Sequence, residues 1–120
     1  MAKSVVKTGK AIYDFSKDGG AVGAITPAVN FTLPSGAIIL RCIGKSVTSL
    51  ANAATGATVA ITAGGVAMKS ATAFDDAAFS GVDVHYSTPV TTSTTAGVVV
   101  TVANTALTGG KYEIYVEYLV

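Results

Sequence analysis

Apolar and polar residues alternate along much of this chain with a period of two, the pattern of β-strands that bury one face. The alternation is clearest in residues 111–120. Because a strand needs partners for its backbone donors and acceptors, we expect earlier segments to flank this terminal strand, which lies at the centre or at the edge of a sheet. One face would carry Tyr112, Ile114, Val116, Tyr118 and Val120, and the other Glu113, Tyr115, Glu117 and Leu119.

Other segments have strand-forming compositions and are bounded by glycine, proline or polar turn residues. The turn signal at residues 18–20 predicts a hairpin between residues 10–17 and 21–26, and the loop at 104–110 predicts a hairpin between 98–103 and the terminal strand. Residues 73–79 contain enough helix formers for one or two turns. The remaining predicted strands are residues 29–33, 37–47, 57–63, 82–87 and 90–92, and the pattern is weakest within 64–95.

About eight short strands at intervals of about ten residues favour an all-β fold, an antiparallel β-sandwich or jelly roll with one short helix. A chain of 120 residues is the length of a single domain. We therefore predict a flexible basic arm at residues 1–9 and one β-sandwich domain at residues 10–120.

The charge is low: 12% of the residues are charged and the net charge is +1. Such a surface lacks the electrostatic footprint of a nucleic-acid or membrane-surface binder, so neither partner is expected. It suits either a component of a protein assembly or a small β protein kept in solution by its polar uncharged residues. The sequence shows no signal peptide and no membrane-spanning run, and a single cysteine, Cys42, fits synthesis in a reducing cytoplasm.

Few residues suggest chemistry. Gly44-Lys45-Ser46 resembles the end of a phosphate-binding loop but lies within a predicted strand. His85 is the only histidine, so a metal site or a catalytic triad would need carboxylates to complete it. Asp75-Asp76 lacks the ligand spacing of a calcium loop, and Cys42 sits among apolar residues as a packing residue would. We expect no catalytic residue, no metal and no cofactor.

Tyrosines and glutamates near the end of the chain are better candidates for a contact surface. Alternation puts Tyr115 on one face with Glu113 and Glu117, and exposed tyrosine commonly contacts proteins or stacks on sugars. Packing between strands is the other explanation of these side chains. We assign Tyr86, Tyr115, Glu113 and Glu117 as candidates for an assembly or ligand contact.

Three stretches carry a resemblance to a known family: residues 11–25, residues 33–39 and residues 105–111 before the aromatic terminal strand. They resemble small virion structural proteins of tailed bacteriophages, most of all the capsid decoration or cement type. The resemblance covers about half of the chain, and residues 52–95 depart from it.

This resemblance implies a non-enzymatic β-sandwich subunit on the capsid surface of a virion, made in the host cytoplasm. Its expected partners are the major capsid protein and further copies of itself, as a homotrimer. In such a protein Lys3, Lys7 and Lys10 would form a basic arm that orders on contact with the shell. A disordered tail without a partner is the other interpretation of this arm.

Two other classes of function remain open. A receptor- or glycan-binding module of a phage head or tail fibre would present Tyr86 and Tyr115 side by side to solvent. A small hydrolase would hold His85 within hydrogen-bond distance of a serine or a carboxylate in a pocket.

Overall fold

The computed structural model describes residues 5–52, 54 and 56–120, which form two antiparallel sheets packed into a sandwich. The strands are β1 (Val6–Asp14), β2 (Gly23–Ile25), β3 (Ile38–Ala51), β4 (Thr58–Ala63), β5 (Val66–Ala73), β6 (Val82–Tyr86), β7 (Val90–Thr91), β8 (Val98–Ala103) and β9 (Gly109–Leu119). A short helix, α1 (Phe15–Asp18), follows β1, and a 3₁₀ turn (Ala77–Phe79) precedes β6.

The strand order is that of a jelly roll. The first sheet, called sheet A, runs β1-β9-β3-β6 with β7 added beside β3, and the second, called sheet B, runs β2-β8-β4-β5. The pairs are nested along the chain, since β1 pairs with β9, β2 with β8, β3 with β6 and β4 with β5. The predicted all-β antiparallel sandwich is confirmed.

The core lies between the two sheets and follows from the alternation of the strands that line it. On β9 the buried residues are the even-numbered ones from Tyr112 to Tyr118, while the odd-numbered ones are half-buried on the opposite face. β9 is a central strand of sheet A, because β1 and β3 flank it along nearly its whole length. The largest fully buried side chains are Tyr13, Leu33, Ile39, Ile61, Ile114, Val98, Val102, Val116 and Cys42.

Both predicted hairpins are wrong, because in each case the second strand belongs to the other sheet. β1 lies in sheet A, whereas β2 pairs with β8 in sheet B. Likewise, β8 lies in sheet B and β9 lies in sheet A. The Asp18 carboxylate holds the first crossover: it accepts hydrogen bonds from Asp14 N (2.9 Å) and Ala28 N (2.8 Å). In the second crossover buried Leu107 donates its backbone N–H to Gly20 O. Glycine, aspartate and asparagine predict where the chain turns, but they do not determine in which sheet the next strand lies.

The predicted boundaries change at two further places. The first predicted strand stops at Asp14, whose carboxylate accepts a hydrogen bond from Ser16 N (3.0 Å) and caps α1. The helix expected at residues 73–79 is reduced to the 3₁₀ turn, which Asp76 caps by accepting from Ala78 N (2.9 Å). Short polar side chains at these positions compete with strand pairing for the local backbone donors.

Part of the predicted flexible arm at residues 1–9 belongs to a strand. β1 begins at Val6, and residues 6–9 pair with β9 in the register Val6 with Leu119 to Gly9 with Val116. β1 therefore begins before Gly9, the residue at which the sequence predicts that the arm ends. A Cβ at Gly9 would lie 2.3 Å from the Phe31 ring, so this glycine allows a close approach inside the sheet.

Candidate functional site

The outer face of sheet A carries most of the charged side chains that belong to strands. Cross-strand neighbours on this face form rows, because residues opposite each other in an antiparallel pair point the same way. One row comprises Lys10, Tyr115, Ile43 and Val84. The next comprises Ile12, Glu113, Lys45 and Val82, and a third comprises Thr8, Glu117 and Arg41.

Tyr115 lies at the centre of a small polar network. Its hydroxyl donates to Glu113 Oε1 (2.8 Å), and Lys10 Nζ lies 3.3 Å from Glu113 Oε2. Lys10 Nζ also lies 5.5 Å from the centroid of the Tyr115 ring, within range of a cation–π contact. The hydrogen bond from Tyr115 is the main cause that lowers the pKa of Glu113, and the bond to Glu113 raises the pKa of Lys10.

A second ion pair joins β3 to β9 on the same face. Arg41 Nε donates to Glu117 Oε1 over 2.6 Å, and both side chains are partly exposed. Exposed pairs of this kind contribute little to stability, typically under about 1 kcal/mol. Glu113, Glu117 and Tyr115, predicted as contact residues, thus share one face but have carboxylate and hydroxyl groups already engaged.

Tyr86 is not beside Tyr115, contrary to the arrangement that a sugar-stacking pair requires. It lies opposite buried Cys42 and packs partly against the core. The cause is a bulge: Cys42 and Ile43 are adjacent on β3, but their partners Tyr86 and Val84 are separated by His85. The extra residue turns Tyr86 to the inner face, away from the face that simple alternation with Val82 and Val84 indicates.

The three lysines of the predicted basic arm do not share one environment. Lys3 lies outside the described residues. Lys7 and Lys10 lie in β1 opposite Tyr118 and Tyr115, so they point to different faces of the strand. Lys7 is exposed, whereas Lys10 is held by the network around Glu113.

His85 belongs to a chain of hydrogen bonds that residue spacing alone does not reveal, and Asp83 at one end of it has a side chain that is 38% exposed. Its side chain is fully buried, with Nδ1 3.0 Å from Asp83 Oδ2 and Nε2 2.6 Å from Tyr112 Oη. Tyr112 Oη also lies 3.1 Å from the Ala78 carbonyl. This chain, called the His85 relay, comprises Asp83, His85, Tyr112 and the Ala78 carbonyl.

The relay has two arrangements, which differ in whether the single proton of the Tyr112 hydroxyl goes to His85 Nε2 or to the Ala78 carbonyl. With a neutral ring, Nδ1–H donates to Asp83 and Nε2 accepts from the Tyr112 hydroxyl. With a protonated ring, both nitrogens donate and the hydroxyl turns to the Ala78 carbonyl. Burial is the main cause that lowers the pKa of His85, opposed by the nearby Asp83 carboxylate, so the neutral arrangement is the one at neutral pH.

The contact between His85 and Asp83 does not make a hydrolase site. A cavity beside Tyr112 is lined by apolar side chains, including Tyr13, Ile61 and Phe79, and offers no polar group to a substrate. Burial strongly raises the pKa of Tyr112, so its hydroxyl keeps its proton. The relay is therefore a structural connection between the 3₁₀ turn, β6 and β9.

The other chemical candidates occupy structural positions. Gly44, Lys45 and Ser46 lie within β3, and burial raises the pKa of the Cys42 thiol to about 12. Across residues 5–52, 54 and 56–120, no three histidine, cysteine or acidic side chains gather as metal ligands would. In the same part of the chain, no helix has the length and apolar character needed to cross a membrane.

The outer face of sheet B contrasts with that of sheet A. Its strands β2, β4 and β8 contain no charged residue, and Lys69 on β5 is the one charge in the strands of this sheet. The outward residues of β4 and β8 are half-buried Thr58, Ala60, Thr62, Val99, Thr101 and Ala103. The part of this face formed by β4 and β8 thus consists of small uncharged side chains.

The fold is similar to chains in two phage capsid structures. A chain of the cyanophage Pam1 capsid asymmetric unit superposes with a TM-score of 0.68 and 25% identity, covering 98% of this chain and 86% of that chain. A chain of the acid-stable capsid structure of Helicobacter pylori bacteriophage KHP30 gives a TM-score of 0.62 at 19% identity, covering 100% and 94%. The first similarity supports the prediction of a phage capsid-related protein, and the second is one of fold. No protein-family model matches the sequence, and no curated protein matches it significantly.

Proposed function

We propose that this protein is a non-enzymatic structural protein of a phage virion, of the capsid decoration or cement type. It binds the outer capsid shell and stabilises it through protein–protein contacts. The observation that carries this proposal is the similarity to a chain of the Pam1 capsid asymmetric unit over 98% of the chain. The partners are then the major capsid protein and other copies of this chain in a homotrimer, on the capsid surface after synthesis in the host cytoplasm.

The two outer faces suit this role. The uncharged face of sheet B can be buried against a partner at little desolvation cost, because threonine and alanine lose few strong interactions with water. The outer face of sheet A has its charges largely paired within the chain, and Lys7 at the β1 edge remains exposed for the shell contact expected of the basic residues. Cementing requires area and shape rather than reactive groups.

The His85 relay also favours a structural role. A histidine that acts on a substrate must reach it, but the His85 side chain is fully buried and both ring nitrogens have partners inside the protein. The receptor-binding alternative loses its main support, since Tyr86 and Tyr115 lie on different faces of sheet A.

The test is binding of the purified protein to expanded empty capsids of its phage and, in parallel, to host cells. We expect saturable co-sedimentation with the capsids and an increase in the temperature at which they fall apart. Bound protein also has to lie on the outer surface, which electron microscopy of the decorated particles resolves. Binding to cells without binding to capsids would contradict the cement role and favour a receptor-binding module.

A further inference from the structure

β6 has Val82 and Val84 on the outer face of sheet A, whereas Asp83, which is 38% exposed, and fully buried His85 point to the other face. Val82 is 68% exposed and Val84 is 51% exposed, the first being the most exposed large hydrophobic residue among those described. Between and after them, Asp83 and His85 turn inward and form the relay with Tyr112. A strand on the surface of a sandwich normally shows the opposite arrangement.

The relay and the bulge fix this inverted arrangement. Rotating the strand to bury the valines would break both hydrogen bonds of the His85 ring and remove the ring from its buried site. The aromatic contacts of His85 with Phe79 and Tyr112, at centroid distances of 5.8 Å each, add to the anchor. The valines are therefore presented to solvent on a strand that is held in place.

The neighbours of the two valines extend the exposed surface. On β3, Ile43 lies opposite Val84 and Lys45 lies opposite Val82. β6 is also an edge strand of sheet A, so one side of its backbone has no neighbouring strand among the residues that the structure describes. Edge strands of this kind can accept an additional extended segment through backbone hydrogen bonds.

The charges on this part of the face are not balanced. Lys10 and Arg41 already have the carboxylates of Glu113 and Glu117 as partners. Lys45 is exposed and makes no ion pair with any residue in the described part of the chain. The complementary partner therefore carries apolar side chains for the valines and a carboxylate for Lys45.

We propose that Ile43, Lys45, Val82 and Val84, called the β6 surface, bind an extended, carboxylate-bearing segment of the phage shell protein. This proposal rests on the capsid-binding function above and names the part of the molecule that contacts the shell. The valines pack against apolar side chains of the segment, Lys45 pairs with its carboxylate, and the β6 edge aligns it as an added strand.

The test compares matched pairs of variants in the capsid co-sedimentation assay. Val82→Ser combined with Val84→Ser removes the apolar contact, and Val22→Ser is its control, because Val22 is 57% exposed but lies outside sheet A. Lys45→Glu reverses the charge, and Lys17→Glu makes the same change on exposed α1. We expect both β6-surface variants to weaken capsid binding by about tenfold or more, with the controls unchanged.

The outcomes separate this proposal from the proposed function. If the wild-type protein binds capsids and either β6-surface variant binds as tightly, the β6 surface is not the shell contact, while the decoration role stands. If the wild-type protein does not bind capsids, the decoration role itself fails. Light scattering gives the subunit number of each variant: loss of self-association with unchanged capsid binding would assign the surface to a second copy and overturn the proposal.

Discussion

At the scale of single residues, His85 couples the stability of the protein to pH. Its ring is buried against Phe79 and Tyr112, Asp83 is the acidic group beside it, and Lys69 is a nearby basic group. Burial and Lys69 lower the pKa of His85, and Asp83 acts in the opposite direction. The folded state therefore holds this proton less tightly than the unfolded state does.

We predict that acidification destabilises the wild-type protein through His85. Because the folded pKa lies below the ordinary value of 6.5, stability is complete above pH 6.5 and is lost as the pH falls toward the folded pKa. The loss is about 1.4 kcal/mol for each unit by which the pKa is lowered. Urea denaturation at closely spaced values from pH 7.5 down to about pH 5 measures it, since most carboxylates stay ionised in this range.

The control is His85→Gln, which retains an acceptor for the Tyr112 hydroxyl but does not titrate. This variant is less stable at pH 7.5, and its free energy of unfolding stays nearly constant over the same range. An equally steep pH dependence in His85→Gln would contradict the assignment to His85. Glu113 and Asp14, whose pKa values are lowered by hydrogen bonds from Tyr115 and Ser16, lose their contributions only in more acidic solution.

At the scale of elements, Gly44 is the point where β3, β6 and β9 come together. A Cβ at this position would lie 1.9 Å from Tyr112 Oη and 2.3 Å from His85 Nε2. The absence of a side chain on β3 thus creates the space in which the hydrogen bond between β6 and β9 forms. Conformational freedom is not the reason for this glycine; the close approach of two side chains is.

We predict that Gly44→Ala destabilises the protein by about 2 kcal/mol or more, because the methyl group displaces the relay from its site. Gly109→Ala is the matched control: its Cβ would make an ordinary 3.5 Å contact with Ala51. Denaturant midpoints of the two variants measure the difference. Equal midpoints would mean that the relay shifts aside at no cost. The pH dependence assigned to His85 should also weaken in Gly44→Ala.

The strands show which elements the sequence could predict and which it could not. Alternation in residues 111–120 predicts the two faces of β9 correctly, since a regular strand has a period of two. The same rule fails for Tyr86, because one bulged residue reverses the face of everything that follows it. The sequence predicts Lys7 and Lys10 in an arm because an edge strand that carries lysines has a composition similar to that of a tail.

The candidate site was predictable only in part for the same reason. Glu113, Tyr115 and Glu117 could be assigned to one face from β9 alone. Two rows link Tyr115 to Ile43 and Val84, and Glu113 to Lys45 and Val82. They depend on the pairing of β3 with β6 and β9, which is a long-range property of the sheet. The sequence shows that Val82 and Val84 alternate with polar residues, and such alternation by itself predicts that the valines point inward. They point outward because the hydrogen bonds of His85 hold the opposite face of β6 against the core.

At the scale of the whole molecule, the nested jelly roll gives the strands unequal protection. β9 lies between β1 and β3, and β8 lies between β2 and β4, so both are flanked on two sides and packed on the core. β2 and β6 are short strands at sheet edges. Stability against local opening should therefore decrease from the centre of each sheet to its edges.

We predict that amides of β8 and β9 exchange with deuterium most slowly, at rates set by global unfolding, whereas those of β2 and β7 exchange through local opening. Hydrogen exchange measured residue by residue at neutral pH tests this order. In His85→Gln the amides of β6 should exchange faster while those of β9 keep most of their protection. Uniform acceleration in both strands would mean that β6 and β9 open as one unit.

Closing the roll brings Val5 and Val120 side by side, with Val5 N 3.4 Å from Val120 O and Val120 N 3.3 Å from Val5 O. β1 and β9 run antiparallel from this point, so their hydrogen bonds lie across the strands. A force that pulls these two residues apart loads the bonds one after another, beginning with the two between Val5 and Val120, as in opening a zipper. Tethers attached at these two residues would therefore peel β1 from the sheet at low force, whereas tension applied along the length of the two strands would load all of their bonds together.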